Sequence, residues 1–380
     1  MIIILLFIIS LCYSLKNKSV QYFYYYHILS LLALLIYLFN GIDVAYKINQ
    51  NLPSDTFLYY TAYCDQWKNI LNHTFGTYSY ILRIIEYPFH NALFAVWGQV
   101  VITFLLLDII VKNKRNLLFF VSFHAIIYLN TNMFKDNLIL IIGLLGYIIL
   151  TRTKNIYFQS IIIFLSISTI AIVRPFLAMA WPICLLPFWI KIKSNSIKTR
   201  CLIISIILGL IIFYLNYDYI KGILSSFSQD TSLAEGKSSP IIGIIKTFLG
   251  PTPGHYLHAD KFMAQAFLSC HSIFYCIMNI LFYIAISFWL VYLLFNYKYI
   301  LNYNNLTINK LFLLAIGGAQ LFVYTLAYGS ADIRQRAVII SFIYIASLYK
   351  QVYNRFYTKF SFYTLLLIIT FLTILTYKSS

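Results

Sequence analysis

Charged side chains are scarce in this sequence. Only 10% of its 380 residues are Asp, Glu, Lys or Arg, while 61% are hydrophobic. A soluble domain has roughly 25% charged residues, because its surface must carry groups that water solvates. The deficit excludes a water-soluble fold, whereas a lipid bilayer accepts outward-facing Ile, Leu, Phe and Tyr. The sequence therefore predicts an all-α, polytopic membrane protein, with residues 1–380 forming a single integral membrane domain.

Several motifs of known chemistry are also missing. The six cysteines form no C-x-x-C pair and have no His partner at metal-ligand spacing, so neither a metal nor another cofactor is predicted. There is no P-loop or Gly-rich nucleotide fingerprint, and no G-x-S-x-G serine nucleophile. The basic residues lie in short loops between apolar runs and not on a basic helix, which argues against nucleic acid as a partner.

Long apolar runs are what the sequence has in abundance. About twelve of them are candidate spans, since a hydrocarbon core about 30 Å thick needs about 20 helical residues. Two longer connections, at about 41–87 and 218–271, separate the spans and are expected to contain short helices. The approximate span limits are 1–15, 22–41, 88–111, 116–131, 134–151, 156–173, 175–190, 201–217, 272–296, 311–328, 335–350 and 360–377.

The charges alternate from loop to loop, which predicts the orientation. Most Lys and Arg residues fall in one set of loops, and all but one of the 11 acidic residues fall in the other set. By the positive-inside rule the basic loops face the cytoplasm, so both termini and both long loops are predicted to lie outside. Asp108, at the end of the third span, is the acidic exception. Cys64 and Cys270 then share the outer side, where a disulfide is allowed, although unpaired cysteine is the preferred interpretation.

Four basic residues border spans on the predicted outer side, against the positive-inside rule. They are Lys135, Arg174, Arg334 and Arg336. Any one of them is explained by snorkelling to lipid headgroups, or by pairing with Asp136 or Asp332. Four together favour anion binding, because an Arg guanidinium grips phosphate oxygens through paired hydrogen bonds. The pyrophosphate of a lipid carrier fits this pattern.

The first long loop holds a candidate carboxylate. Asp55 follows Pro53 and Ser54, so it either caps a helix or deprotonates a sugar hydroxyl. Tyr59 and Tyr60 follow it and are predicted to offer a stacking surface for sugar rings.

The second long loop contains a Pro- and Gly-rich turn at 250–254 that carries His255, with His258 and Asp260 close behind. Histidine accepts protons near neutral pH, so His255 is a candidate base or substrate contact. A metal site and an ordinary polar loop are the alternatives. His27 and His124 are instead expected to pack between helices.

Taken together, these segments resemble the Wzy-type family of polysaccharide polymerases. The resemblance rests on Asp55 with Tyr59, Phe134-Lys-Asp136, Arg174-Pro-Phe176, the turn from Gly329 to Arg336, and Gly250-Pro-Thr-Pro253. It implies metal-independent glycosyl transfer between two undecaprenyl-pyrophosphate-linked glycans, on the outer face of a bacterial inner membrane. It is also compatible with a separate partner that regulates chain length.

The resemblance further implies a role for each candidate residue. Arg174, Arg334 and Arg336 would stabilise the departing pyrophosphate, Lys135 would add a phosphate contact, and Asp55 or His255 would take the hydroxyl proton. Tyr59, Tyr60, His258 and Asp260 would contact the glycan. Three alternatives stay open: a glycosyltransferase that uses a polyprenyl-phosphate sugar, for which Asp55 and Asp65 would form an acidic pair; a flippase for lipid-linked oligosaccharide; and a membrane O-acetyltransferase.

Overall fold

A computed structural model describes residues 2–40, 92–111, 114–131, 134–174, 240–249, 272–300, 306–328 and 333–348, with isolated residues elsewhere. These stretches contain α-helices and no β-strand. The all-α fold predicted from the sequence is therefore confirmed for the part of the chain that is described.

Eleven helices lie in these stretches. They are α1 (Ile2–Lys16), α2 (Val20–Asn40), α3 (Ala92–Ile110), α4 (Lys114–Ser122), α5 (His124–Thr131), α6 (Asp136–Arg152), α7 (Ile156–Val173), α8 (Pro240–Leu249), α9 (Ser272–Ile300), α10 (Ile308–Tyr328) and α11 (Ile333–Ser347).

The helices follow most of the predicted spans to within about four residues, the uncertainty expected at helix ends. One predicted span, 116–131, is divided into α4 and α5 at Phe123. The predicted spans 175–190, 201–217 and 360–377 lie largely outside the described residues.

Two described helices are long and apolar enough to cross a bilayer, through Leu93–Ile110 of α3 and Ile308–Thr325 of α10. The number rises to three if α5 and α6 count together as one interrupted span. Shorter apolar stretches occur in α1, α2, α7 and α9. These helices support a membrane protein, whereas a bundle of twelve spans stays a prediction.

The chain divides into two compact units. Unit 1 comprises Met1–Asn137, Leu249–Ile300 and Tyr349–Ser380. Within it α1 packs on α3, and α5, all of whose residues are buried, packs on α2 and α3. The break between α4 and α5 packs on α9, where the rings of Phe123 and Phe282 stack 4.4 Å apart. An apolar core thus surrounds α5.

Unit 2 comprises Leu138–Phe248 and Leu301–Leu348. Its helices α10 and α11 pack along each other, with Gly317 close to the Phe342 side chain. A Cβ atom at Gly143 of α6 would overlap the Phe342 ring, and one at Gly146 would lie 2.8 Å from Cε1 of Phe312. A side chain at either position would therefore force an aromatic ring of α11 or α10 to shift, since these rings occupy the space of a Cβ atom.

Candidate functional site

Arg174 lies at the end of α7 in unit 2. Its backbone N–H donates to the carbonyl oxygen of Ile170 at 2.8 Å, and its own carbonyl oxygen accepts from the N–H of Leu177 at 2.9 Å. The side chain is half-buried. A cation at the carboxyl end of a helix is favoured by the helix dipole, so the backbone alone accounts for part of its placement.

Arg334 and Arg336 lie in the first turn of α11, also in unit 2. Arg334 is half-buried, and only 6% of Arg336 is exposed. The dipole is positive at the amino end of a helix, so two cations there oppose it and add to the local positive potential. A bound anion would be stabilised at this position.

Helix α7 runs back along α6. The connection between them is residues 153–155, in which Asn155 caps α7 by accepting a hydrogen bond of 2.9 Å from the N–H of Tyr157. Farther along, a Cβ atom at Gly146 of α6 would lie 3.0 Å from Oγ of Ser166 of α7. Arg174 follows Ser166 by eight residues, or about 12 Å of helix, which brings it level with the part of α6 near Leu138.

Helix α11 runs in the same direction as α6. The amide Nδ2 of Asn309, at the start of α10, donates at 2.7 Å to Oγ1 of Thr151, near the end of α6. Nζ of Lys310 donates at 2.6 Å to the carbonyl oxygen of Leu348, just beyond the end of α11. The ends of α6 and α11 are therefore adjacent to the start of α10.

The register of α11 follows from its ring contact with α6. Phe342 lies beside Gly143, and the two arginines precede Phe342 by six and eight residues, or about 9–12 Å. They are therefore level with the part of α6 near Leu138, as is Arg174. The three arginines thus lie at one end of unit 2, and Arg152, Lys154 and Lys310 lie at the other.

Lys135 and Asp136 belong to unit 1. Lys135 is in the turn before α6, and Asp136 is the first residue of that helix. Only 7% and 2% of these residues are exposed. Charges so deeply buried are costly, and in membrane proteins they commonly mark functional positions.

A buried polar network lies next to this turn, and the sequence analysis did not predict it. Asn130 of α5 is its centre, because its Oδ1 accepts from Oγ1 of Thr103 at 3.2 Å and also from Nδ2 of Asn137. Its Nδ2 donates to the hydroxyl of Tyr26. The four side chains are buried and connect α2, α3, α5 and the first turn of α6. Isolated polar residues within apolar runs were the available sequence signal.

A second polar contact involves Asp108, near the end of α3. Its Oδ2 accepts from the hydroxyls of Ser14 at 3.0 Å and Ser19 at 2.9 Å. The sequence singled out Asp108 only as the acidic exception among basic loops. The serines show how a carboxylate is accommodated there, since both donors stabilise its charged form.

The two histidines expected between helices are found there. His27 of α2 is buried against rings from α1 and α3, with Phe7 at 5.4 Å and Trp97 at 5.0 Å between centroids. His124 is buried with its ring 5.5 Å from that of Phe282 in α9. Both predictions are confirmed.

Six candidate site residues lie outside the described residues: Asp55, Tyr59, Tyr60, His255, His258 and Asp260. Cys64 and Cys270 lie outside them too. Within the described part, no three His, Cys, Asp or Glu side chains come together as a metal site would require.

Comparison with known proteins gives no relative. No protein-family model, no curated protein and no solved structure matches this chain.

Proposed function

We propose that this protein is a polysaccharide polymerase that joins undecaprenyl-pyrophosphate-linked repeat units by glycosyl transfer. The proposal is supported most by the directions of α6, α7 and α11, from which Arg174, Arg334 and Arg336 are inferred to share one end of unit 2. A pyrophosphate needs several fixed cations at once, and guanidinium groups provide both the charge and paired donors.

The proposal includes an orientation in a bacterial inner membrane. About twelve helices span the bilayer, with both termini outside. The end of unit 2 that carries Arg152, Lys154 and Lys310 faces the cytoplasm, as the positive-inside rule requires. The end with the three arginines then faces the periplasm, where the lipid-linked glycans are joined.

In the proposed reaction, a hydroxyl oxygen of one repeat unit forms a bond to the anomeric carbon of the other glycan. The bond between that carbon and the pyrophosphate oxygen breaks, and undecaprenyl pyrophosphate leaves with the electron pair. The hydroxyl proton passes to Asp55 or His255. Negative charge grows on the leaving group, so the arginines stabilise the transition state more than the ground state.

Arg334 and Arg336 carry the larger share of this stabilisation in the proposal. Their helix begins with its free N–H groups and positive dipole end at the same place, which adds to the potential of the two guanidinium groups. Arg174 belongs to a different helix and provides a third guanidinium group for the pyrophosphate. Lys135 lies in the other unit, and its phosphate contact stays a prediction.

The proposal is tested in cells that depend on this protein for polymer. Arg174→Ala and Arg334→Ala are expected to abolish long polymer while lipid-linked single repeats and protein level are retained. Arg152→Ala is the matched control, since this exposed residue lies at the opposite end of the unit. Long polymer made by both arginine variants, or its loss in the control alone, would overturn the proposal.

A further inference from the structure

Helix α8 in unit 2 has an inverted polarity. Its apolar stripe at i, i+3 and i+4, formed by Ile241, Ile244 and Ile245, points away from the protein, with 71%, 40% and 51% of these residues exposed. The protein instead covers Gly243 and Thr247, of which Thr247 is fully buried. A helix on the surface of a soluble protein would bury the isoleucines and expose the threonine.

The covered face is suited to close packing inside a membrane protein. Small residues such as Gly and Thr let a helix approach its neighbours closely. In a bilayer this close packing drives helix association, because lipid tails are as apolar as the side chains and the hydrophobic effect does not bring helices together. The Thr247 hydroxyl donates to the carbonyl oxygen of Gly243 at 2.9 Å, so burying it leaves no donor unsatisfied. The inverted pattern is therefore not a packing fault.

Helix α8 is too short to cross a bilayer. Its 10 residues extend about 15 Å, half of a hydrocarbon core about 30 Å thick. Exposed apolar side chains also occur on another helix of the same unit, because α7 exposes Ile161 and Leu165. Both surfaces have the composition expected where acyl chains replace water.

We propose that α8 is a membrane-embedded, non-spanning helix whose Ile241, Ile244 and Ile245 stripe is covered by lipid acyl chains. The helix would fix the middle of the long 218–271 connection to the bilayer surface. This inference depends on the membrane location of the protein and not on its proposed enzymatic function.

The occupant of the stripe is identified by photocrosslinking of the full-length protein. A photoreactive diazirine amino acid replaces Ile245, and the protein is reconstituted in vesicles of phosphatidylethanolamine and phosphatidylglycerol. After irradiation, peptide mass spectrometry is expected to find phospholipid adducts at position 245. The same amino acid in place of Leu165 on α7 gives the positive control.

Two other results would overturn the inference. One is a crosslink from position 245 to a second copy of the chain, and the other is the absence of lipid adducts while position 165 is labelled. A second variant controls for local distortion, with the photoreactive amino acid at Ile241 and the substitutions Ile244→Asp and Ile245→Asp. These charges are expected to abolish lipid adducts at 241 and to leave those at 165 unchanged. Since the measurement needs no glycan substrate, its result does not depend on whether the protein is a polymerase.

Discussion

The hydroxyl of Ser19 donates a hydrogen bond of 2.9 Å to the buried carboxylate of Asp108. Ser19 belongs to the turn between α1 and α2, while Asp108 is near the end of α3, so one side chain of α3 organises this turn. Ser14 donates to the same oxygen from the end of α1. The turn also holds Lys18 at a φ of 55°, a left-handed conformation that non-glycine residues rarely adopt. A contact that fixes the turn would offset that strain.

Asp108→Leu is expected to destabilise unit 1 strongly. It removes the acceptor that the Ser14 and Ser19 hydroxyls share. Ser19 keeps the carbonyl oxygen of Ser14 at 3.3 Å as an acceptor, whereas the Ser14 hydroxyl is left unsatisfied at a cost of about 1–3 kcal/mol. Asp108→Asn keeps one carbonyl oxygen and is expected to cost less. Thermal unfolding of the purified protein in detergent measures which of the two variants loses more stability. Equal midpoints for the Leu and Asn variants would show that the serines do not depend on this acceptor.

Asn130→Leu is expected to lower the free energy of unfolding by about 3 kcal/mol. The substitution removes all three hydrogen bonds at the centre of the network and leaves buried partners on α2 and α3 unsatisfied. Thr169→Ala is the control, because its exposed hydroxyl bonds only within its own helix and the change is expected to stay within about 0.5 kcal/mol. Similar unfolding midpoints for the two variants would contradict the role of Asn130.

Gly143→Ala is expected to be far more harmful than Gly318→Ala. The new methyl group at 143 would overlap the Phe342 ring, whereas a Cβ atom at Gly318 would meet nothing within 4 Å. Overpacking of this kind costs about 1–3 kcal/mol, while alanine in an open helical position is favourable. Unfolding midpoints of both variants test the contrast.

The ring contact itself is tested by a double variant. Phe342→Leu makes room for the methyl group, so it is expected to recover part of the stability lost in Gly143→Ala. Additive losses in the double variant would indicate that the two residues do not touch.

Sequence patterns were sufficient to predict that the described part of the chain is all-α, and where most of its helices lie. Long apolar runs fix where helices form, and the end of α7 at Val173 followed directly from where its apolar run stops at Arg174. They were insufficient at Phe123, where the chain leaves the helix between α4 and α5 within a continuous apolar run. Hydrophobicity does not distinguish one span from two short buried helices.

The candidate site was predictable only in part. Arg174, Arg334 and Arg336 stand out because cations beside apolar runs are few, and that signal needs no knowledge of packing. Their common end of unit 2 depends on the register of α6, α7 and α11, which contacts such as that of Gly143 with Phe342 set. The hydrogen-bond partners of Asn130 come from three separate helices, so no spacing of residues along the sequence could predict them.

The most direct test of the central claim measures release of undecaprenyl pyrophosphate by purified protein in vesicles supplied with the pyrophosphate-linked repeat unit. Arg334→Ala is expected to lower the rate by about 100-fold, the cost typical of removing one group that stabilises developing charge. Arg334→Lys is also expected to be slower than the wild type, because a point charge does not reproduce the planar fork, whereas Arg152→Lys keeps the wild-type rate. A wild-type rate in Arg334→Ala would contradict the account.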